Sequence, residues 1–264
     1  MTFTSADCET NGITIHYLRT AGANHPVVLL HGLTGNGACF TPLARALEGE
    51  SDLFMPDARG HGGSSAPPHG YRYDDHASDV AGLLRALKLP RPVLLGHSMG
   101  GMTAALVASR AAGALRGLVL VDPTFLSLER QREVRGSDVA ERHRRALGLA
   151  KADLVAQARA RHPRRSPEML ELLAQARLQT RMGALDVLTP PQPEYRHLVK
   201  AIDVPILLVM GDESPVVTLE MATELRGLNP RLRIEQVRDA GHGLPFDQPE
   251  RLGEVVGSFL RELP

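Results

Sequence analysis

A short apolar run, Pro92-Val93-Leu94-Leu95, leads directly into Gly96-His97-Ser98-Met99-Gly100. A helix-forming stretch, Gly101-Met102-Thr103-Ala104-Ala105-Leu106-Val107-Ala108, follows without a break. The apolar run has the composition of a strand buried on both faces of a parallel sheet. A chain that passes from such a strand to a helix within a few residues must turn sharply. The G-x-S-x-G spacing supplies small residues on either side of the turn, so that strand and helix can pass close together with the serine at the tip. This junction commits the chain to helices packed on a largely parallel sheet. It also marks Ser98 as a candidate nucleophile, rather than an incidental serine in a glycine-rich turn.

The rest of the chain alternates in the way that junction requires. Asn11-Gly12 separates two strand-like runs, residues 3–9 and 13–19, which is a strong hairpin signal. Short apolar strands are expected at 27–30, 53–55, 118–121, 204–210 and 232–237. Helices are expected at 42–47, at 73–89, where Val80, Leu83, Leu84 and Leu87 share a face, and at 246–263. The expected fold is α/β, a mostly parallel twisted sheet with helices on both faces after a leading hairpin.

One stretch interrupts the alternation. Between about residues 124 and 193 no strand is evident, and helices are expected at 128–135, 138–147, 151–161 and 167–181. Pro190-Pro191-Gln192-Pro193 has the composition of a stiff return linker. The expected organisation is a core of residues 1–123 and 194–264 with a helical cap, 124–193, inserted after the sixth strand. Residues 123–200 hold 15 Lys or Arg against 9 Asp or Glu, a formal +6 within a chain of net charge zero. Such a basic cap would steer an anionic substrate, or simply present solvated helix faces.

A serine needs a base to take its proton. His242, in Asp239-Ala240-Gly241-His242-Gly243-Leu244-Pro245, follows the last expected strand. It therefore lies at the carboxyl edge of the sheet, as Ser98 does, where ligands bind in such folds. Acyl transfer also needs N–H donors aimed at a developing oxyanion. Met99 N–H at the helix start and Leu33 N–H after His31-Gly32 are the expected pair. Gly32 and His97, beside the serine, are expected on the substrate side.

Together, His31-Gly32, Asp57-Ala58-Arg59-Gly60-His61-Gly62-Gly63-Ser64, Gly96-His97-Ser98-Met99-Gly100 and Gly241-His242 resemble the α/β-hydrolase superfamily along nearly the whole chain. The resemblance implies a Ser–His–acid triad, an oxyanion hole at Leu33 and Met99, and a pocket between core and cap. It gives Arg59 a structural bracing role. The sequence departs from the superfamily pattern at the acid. Most relatives carry it three residues beyond the glycine that ends the strand at 206–210, and here that position is Ser214. The acid is then Asp122, at the end of the preceding strand as in some superfamily branches, or Asp212 or Glu213 on a shortened loop.

The expected activity is a serine hydrolase acting on a carboxylic ester or lactone, with no metal or organic cofactor and a small-molecule ester or lactone as its substrate. A haloalkane dehalogenase is disfavoured because its nucleophile is an aspartate. The alternatives are a carbon–carbon bond hydrolase, a cofactor-free dioxygenase, and a ligand-binding pseudoenzyme. Zero net charge gives no pull toward nucleic acid or anionic membrane. No basic region followed by an apolar run opens the chain, so a cytoplasmic protein is expected. Cys8 and Cys39 have no metal-binding spacing and are expected as reduced packing residues.

Overall fold

The computed structural model describes every residue except 1, 21, 23, 24, 48, 50 and 112. Asn11 and Gly12 both take left-handed backbone, with φ of 50° and 77°. That is the geometry of a two-residue hairpin turn, and it pairs β1 (Phe3–Thr10) with β2 (Ile13–Thr20) antiparallel. The strands that follow are β3 (Pro26–Leu30), β4 (Asp52–Pro56), β5 (Val93–His97), β6 (Gly117–Val121), β7 (Ile206–Gly211) and β8 (Leu232–Val237). They pair in parallel, and the sheet order is β1-β2-β4-β3-β5-β6-β7-β8.

Every residue of β3 to β7 is buried, because both faces of these strands carry helices. Side chains alternate between two cores with the period of two that a strand imposes. Val28, Leu30, Leu94, Leu120 and Leu208 pack toward α2 (Tyr73–Ala86), α3 (Met99–Arg110), α8 (Tyr195–Ala201) and α9 (Leu219–Leu228). Val27, Leu29, Leu95, Val119 and Val209 pack toward α1 (Thr41–Ala46) and α11 (Pro249–Glu262). Strand β5 lies between β3 and β6, so the serine at its end is near the middle of the sheet's carboxyl edge.

Between β6 and β7 run α4 (Leu128–Gly136), α5 (Val139–Leu147), α6 (Lys151–Arg161), α7 (Pro167–Leu178) and a 3-10 segment, Met182–Leu188. Helix α7 is shorter than the expected 167–181. Beyond it, Arg181 N–H turns out of the helix to donate to Gly60 O at 2.8 Å. The expected helix 246–263 is split into α10 (Leu244–Asp247) and α11, since Pro249 has no N–H with which to continue a helix across Gln248. Helices α8 and α9 were not anticipated; at 7 and 10 residues they are too short for a clear helical period.

The inserted helices are tied to loops on both sides of Ser98. Asn36 Nδ2 donates to Gln179 Oε1 at 3.0 Å and Arg45 pairs with Glu168. On the opposite side Arg165 Nε donates to Asp247 Oδ1 at 2.7 Å. Both cysteines are buried free thiols, and burial pushes the Cys39 thiol up to about 12. No helix of the described residues is long and apolar enough to cross a membrane.

Candidate active site

Ser98 joins β5 to α3 with φ 55° and ψ −118°, a strained conformation for a residue with a side chain. The sheet and helix hold it there because the flanking glycines permit no gap. A Cβ on Gly100 would lie 2.0 Å from Leu30 O, and one on Gly96 would lie 2.2 Å from Gly100 O. These are backbone atoms of packed elements and cannot swing aside. Gly100→Ala is therefore expected to cost roughly 3 kcal/mol or more. That corresponds to a thermal midpoint lower by about 10 °C in a chain of this size, and a melt unchanged to within a degree would refute the account.

His242 reaches the serine because its loop lies on the end of β7. A Cβ on Gly211 would lie 2.0 Å from Ala240 O, and Glu213 N–H donates to that same oxygen at 3.0 Å. His242 Nε2 is 2.9 Å from Ser98 Oγ, and His242 Nδ1 is 2.5 Å from Asp122 Oδ2. With Nδ1–H directed at a carboxylate, Nε2 is left bare to accept the serine proton.

Asp122 sits at the end of β6 with φ 42° and is fully buried. Its left-handed backbone is one that aspartate adopts more readily than most residues. Oδ2 also accepts from Ser214 Oγ at 2.7 Å. Ser214 Oγ in turn accepts Val216 N–H at 3.1 Å, which leaves the hydroxyl proton for Asp122. Of the three carboxylates that the sequence offered, Asp122 is the one brought to the histidine. Asp212 and Glu213 are exposed on the β7 turn, and neither bonds to His242. The signal missed in the sequence was Ser214 itself. It stands where the acid is absent, and its hydroxyl binds the acid that replaces it.

Among the described residues, the structure leaves without a partner the two N–H groups expected as oxyanion donors, those of Leu33 and Met99. A Cβ on Gly32 would come within 3.0 Å of Ser98 Cβ and 3.1 Å of His97 Nδ1, so only glycine leaves this approach open. His31 fixes the loop: Nδ1 donates to Gly32 O at 2.8 Å, and Nε2 accepts Ala58 N–H at 2.9 Å. Burial lowers His31 to about 4. His97 is buried, and its Nε2 donates to His242 O at 2.8 Å. The structure thus places His97 under the histidine loop, and burial followed by the nearby His242 lowers it to about 3.

Asp57 holds the adjoining loop by accepting Gly37 N–H at 2.7 Å and Gly63 N–H at 2.8 Å. Arg59 makes a buried bidentate pair with Asp79, both contacts at 2.6 Å, and also donates to Gly70 O. These contacts brace the loop and do not reach Ser98. Among the described residues there is no cluster of three or more metal-ligating side chains.

A family model described as the alpha/beta hydrolase fold matches residues 25–249. The chain belongs to this family. Among relatives of this α/β hydrolase, N-formylmaleamate deformylase of Pseudomonas putida is 31% identical, covering 95% of this chain and 94% of the relative. 2-(Acetamidomethylene)succinate hydrolase of Mesorhizobium japonicum is 27% identical, covering 98% and 95%. The crystal structure of E-2-(acetamidomethylene)succinate hydrolase superposes with a TM-score of 0.85 at 23% identity, covering 98% of this hydrolase and 100% of that chain. At that identity the likeness concerns the fold.

Proposed function

We propose that this α/β hydrolase is a serine hydrolase that cleaves a carboxylic ester or lactone through an acyl-enzyme on Ser98. The observation that carries the reading is the unbroken chain from Ser98 Oγ through His242 to Asp122, with contacts of 2.9 and 2.5 Å. Ser98 Oγ attacks the carbonyl carbon and His242 Nε2 takes its proton. Asp122 stays ionised and stabilises the imidazolium. Leu33 and Met99 N–H groups hold the oxyanion. The imidazolium then protonates the leaving alkoxide as the carbon–oxygen bond breaks. Water attacks the acyl carbon and gives a proton to Nε2, and the imidazolium returns that proton to Ser98 Oγ as the Ser98 ester bond breaks and the acid leaves. No step calls on a metal or an organic cofactor. Gly32 keeps the approach to Ser98 clear, and His97 serves by supporting the His242 loop. Residues 124–193 act as the cap that closes the pocket over the core, 1–123 and 194–264.

Amide hydrolysis is the second reading, favoured by the 31% identity to a protein named N-formylmaleamate deformylase. The same steps apply, with an amine leaving in place of an alkoxide. Covalent labelling tests the common core of both. The wild-type chain is expected to take up one fluorophosphonate at Ser98 and to release 4-nitrophenol from short-chain esters, and Ser98→Ala is expected to do neither. A wild-type chain that resists the probe and leaves esters and amides intact would return the scaffold to a binding role.

A further inference from the structure

A second serine meets a histidine and a carboxylate in the same order as the first. Ser5 Oγ is 2.7 Å from His16 Nε2, and His16 Nδ1 is 2.9 Å from Asp57 Oδ2. The corresponding contacts at Ser98 are 2.9 and 2.5 Å. Ser5 lies on β1 and Ser98 at the end of β5, with β2, β4 and β3 between them. Four strand spacings set the two serines about 19 Å apart.

The fold holds each member in place. Asp57 is buried, and its carboxylate also accepts Gly37 N–H and Gly63 N–H. An ionised carboxylate only accepts hydrogen bonds, so His16 keeps its proton on Nδ1 and leaves Nε2 bare. Ser5 is then the donor to Nε2. The imidazole rests on Gly63, where a Cβ would lie 2.9 Å from His16 Cγ.

The backbone adds a further element. His16 N–H donates to Ser64 Oγ at 2.9 Å and Thr14 N–H to Ser65 Oγ at 3.0 Å. Both amides therefore point away from β1, and in an antiparallel pair such positions recur at every second residue. Asp7–His16 and Ser5–Leu18 are then pairs without mutual backbone bonds, the kind in which side chains approach most closely. Strand β1 is the outermost of the sheet, so Ser5 N–H faces off its edge. The amide of a nucleophilic serine is one of the two donors that an oxyanion hole commonly uses.

We propose that Ser5, His16 and Asp57 form a second nucleophilic site, at which Ser5 accepts an acyl group from a neutral thioester. Ser5 Oγ bonds to the thioester carbonyl carbon while His16 Nε2 takes its proton. The carbon–sulfur bond then breaks, the imidazolium gives that proton to the departing sulfur, and an O-acyl serine and a free thiol remain. Thr4, Ser5, Ala6 and Asp7 are all exposed, so a small donor reaches the hydroxyl without entering a cavity. Asp7, directly opposite His16, and Glu9 beyond it disfavour an anionic donor. Without pocket walls or a second oxyanion donor, Ser5 reacts far more slowly than Ser98. Over the minutes of a probe assay Ser98→Ala is therefore still silent, and acylation at Ser5 is followed over hours.

The test incubates Ser98→Ala with S-acetyl-N-acetylcysteamine and follows acetylation of each serine by peptide mass spectrometry. Ser78 and Ser137 are the internal standards, being exposed serines whose hydroxyls donate to backbone carbonyls. Ser5 is expected to acetylate about 10–100-fold faster than either, the lower part of what a positioned general base contributes. His16→Phe retains a ring over Gly63 and should bring Ser5 to within about threefold of the standards. Free thiol is measured alongside. Thiol release that Ser5→Ala abolishes, with little acetyl left on Ser5, supports the same site with its acyl group passed on to water. The proposal is overturned if Ser5 acetylates no faster than Ser78 and Ser137 and no thiol release depends on it. It is equally overturned if a folded His16→Phe leaves the Ser5 rate unchanged. The comparison of serines within one chain needs no variant at the site to fold, and neither outcome bears on Ser98.

Discussion

Asp122→Gly is expected to lower kcat by roughly 10³–10⁴-fold with little change in KM, the scale seen when the acid behind a catalytic histidine is lost. Glycine is the informative replacement because Asp122 holds φ 42°, which glycine adopts without strain. Asp212→Asn and Glu213→Gln should stay near wild type, since both side chains are exposed and away from His242. Ser214 makes the experiment sharper. Its Oγ is 2.7 Å from the very oxygen that meets His242 Nδ1. An aspartate at 214 is one bond longer and, with the Asp122 carboxylate gone, has room to face the histidine. Asp122→Gly/Ser214→Asp is therefore expected to recover at least about tenfold of the lost kcat. Ser214→Asp alone should do the reverse. It sets two carboxylates side by side where both cannot remain ionised, and both activity and melting temperature should fall. This reversal of sign does not arise from packing alone. A folded double variant no faster than Asp122→Gly would show that position 214 cannot serve the histidine.

The parts of the site that were legible in the sequence are those where one residue type meets one backbone requirement. Gly96 and Gly100 announce the turn because any Cβ there would strike backbone. Asn11-Gly12 announces the hairpin because both residues tolerate positive φ. Ser98 and His242 follow from the carboxyl ends of β5 and β8, which periodicity places in a parallel sheet. What was not legible depends on register between segments far apart in the chain. Val121 pairs with Val209, and this register alone sets Asp122 beside the β7 turn and within reach of Ser214. Asp122 and Ser214 stand 92 positions apart, and the intervening sequence carries no local trace of that contact. His97 is a similar case. Beside the serine in sequence, it was expected to face substrate, yet the fold turns its ring beneath the histidine loop.

Packing also sets how the fold responds to acid. Besides His143 on α5, four histidines are buried: His31, His61, His76 and His97. Burial is the first cause in each case. It lowers His31 to about 4, and His61 and His97 to about 3, with His76 also held well below its ordinary value. Each is neutral in the folded chain, while the unfolded chain binds a proton near pH 6.5. Below that pH the unfolded state binds more protons, so stability falls as pH falls. The loss continues until the folded histidines themselves titrate, near pH 3–4. Well below pH 6.5 each contributes about 1.4 kcal/mol per pH unit, so four acting together remove about 5.5 kcal/mol per unit. Against a total stability of roughly 5–15 kcal/mol, the chain is expected to hold a constant stability from pH 8 to 7, to weaken steeply below pH 6, and to unfold cooperatively between about pH 4 and 5. Urea unfolding at half-unit steps of pH measures the slope. His76→Leu isolates one contributor, because its Nε2 is buried with no partner to lose. That variant should take up about one proton fewer on acid unfolding and should shift the midpoint to lower pH. A wild-type stability that stays level from pH 7 to pH 5 would mean that these rings are not sealed from water as the packing places them.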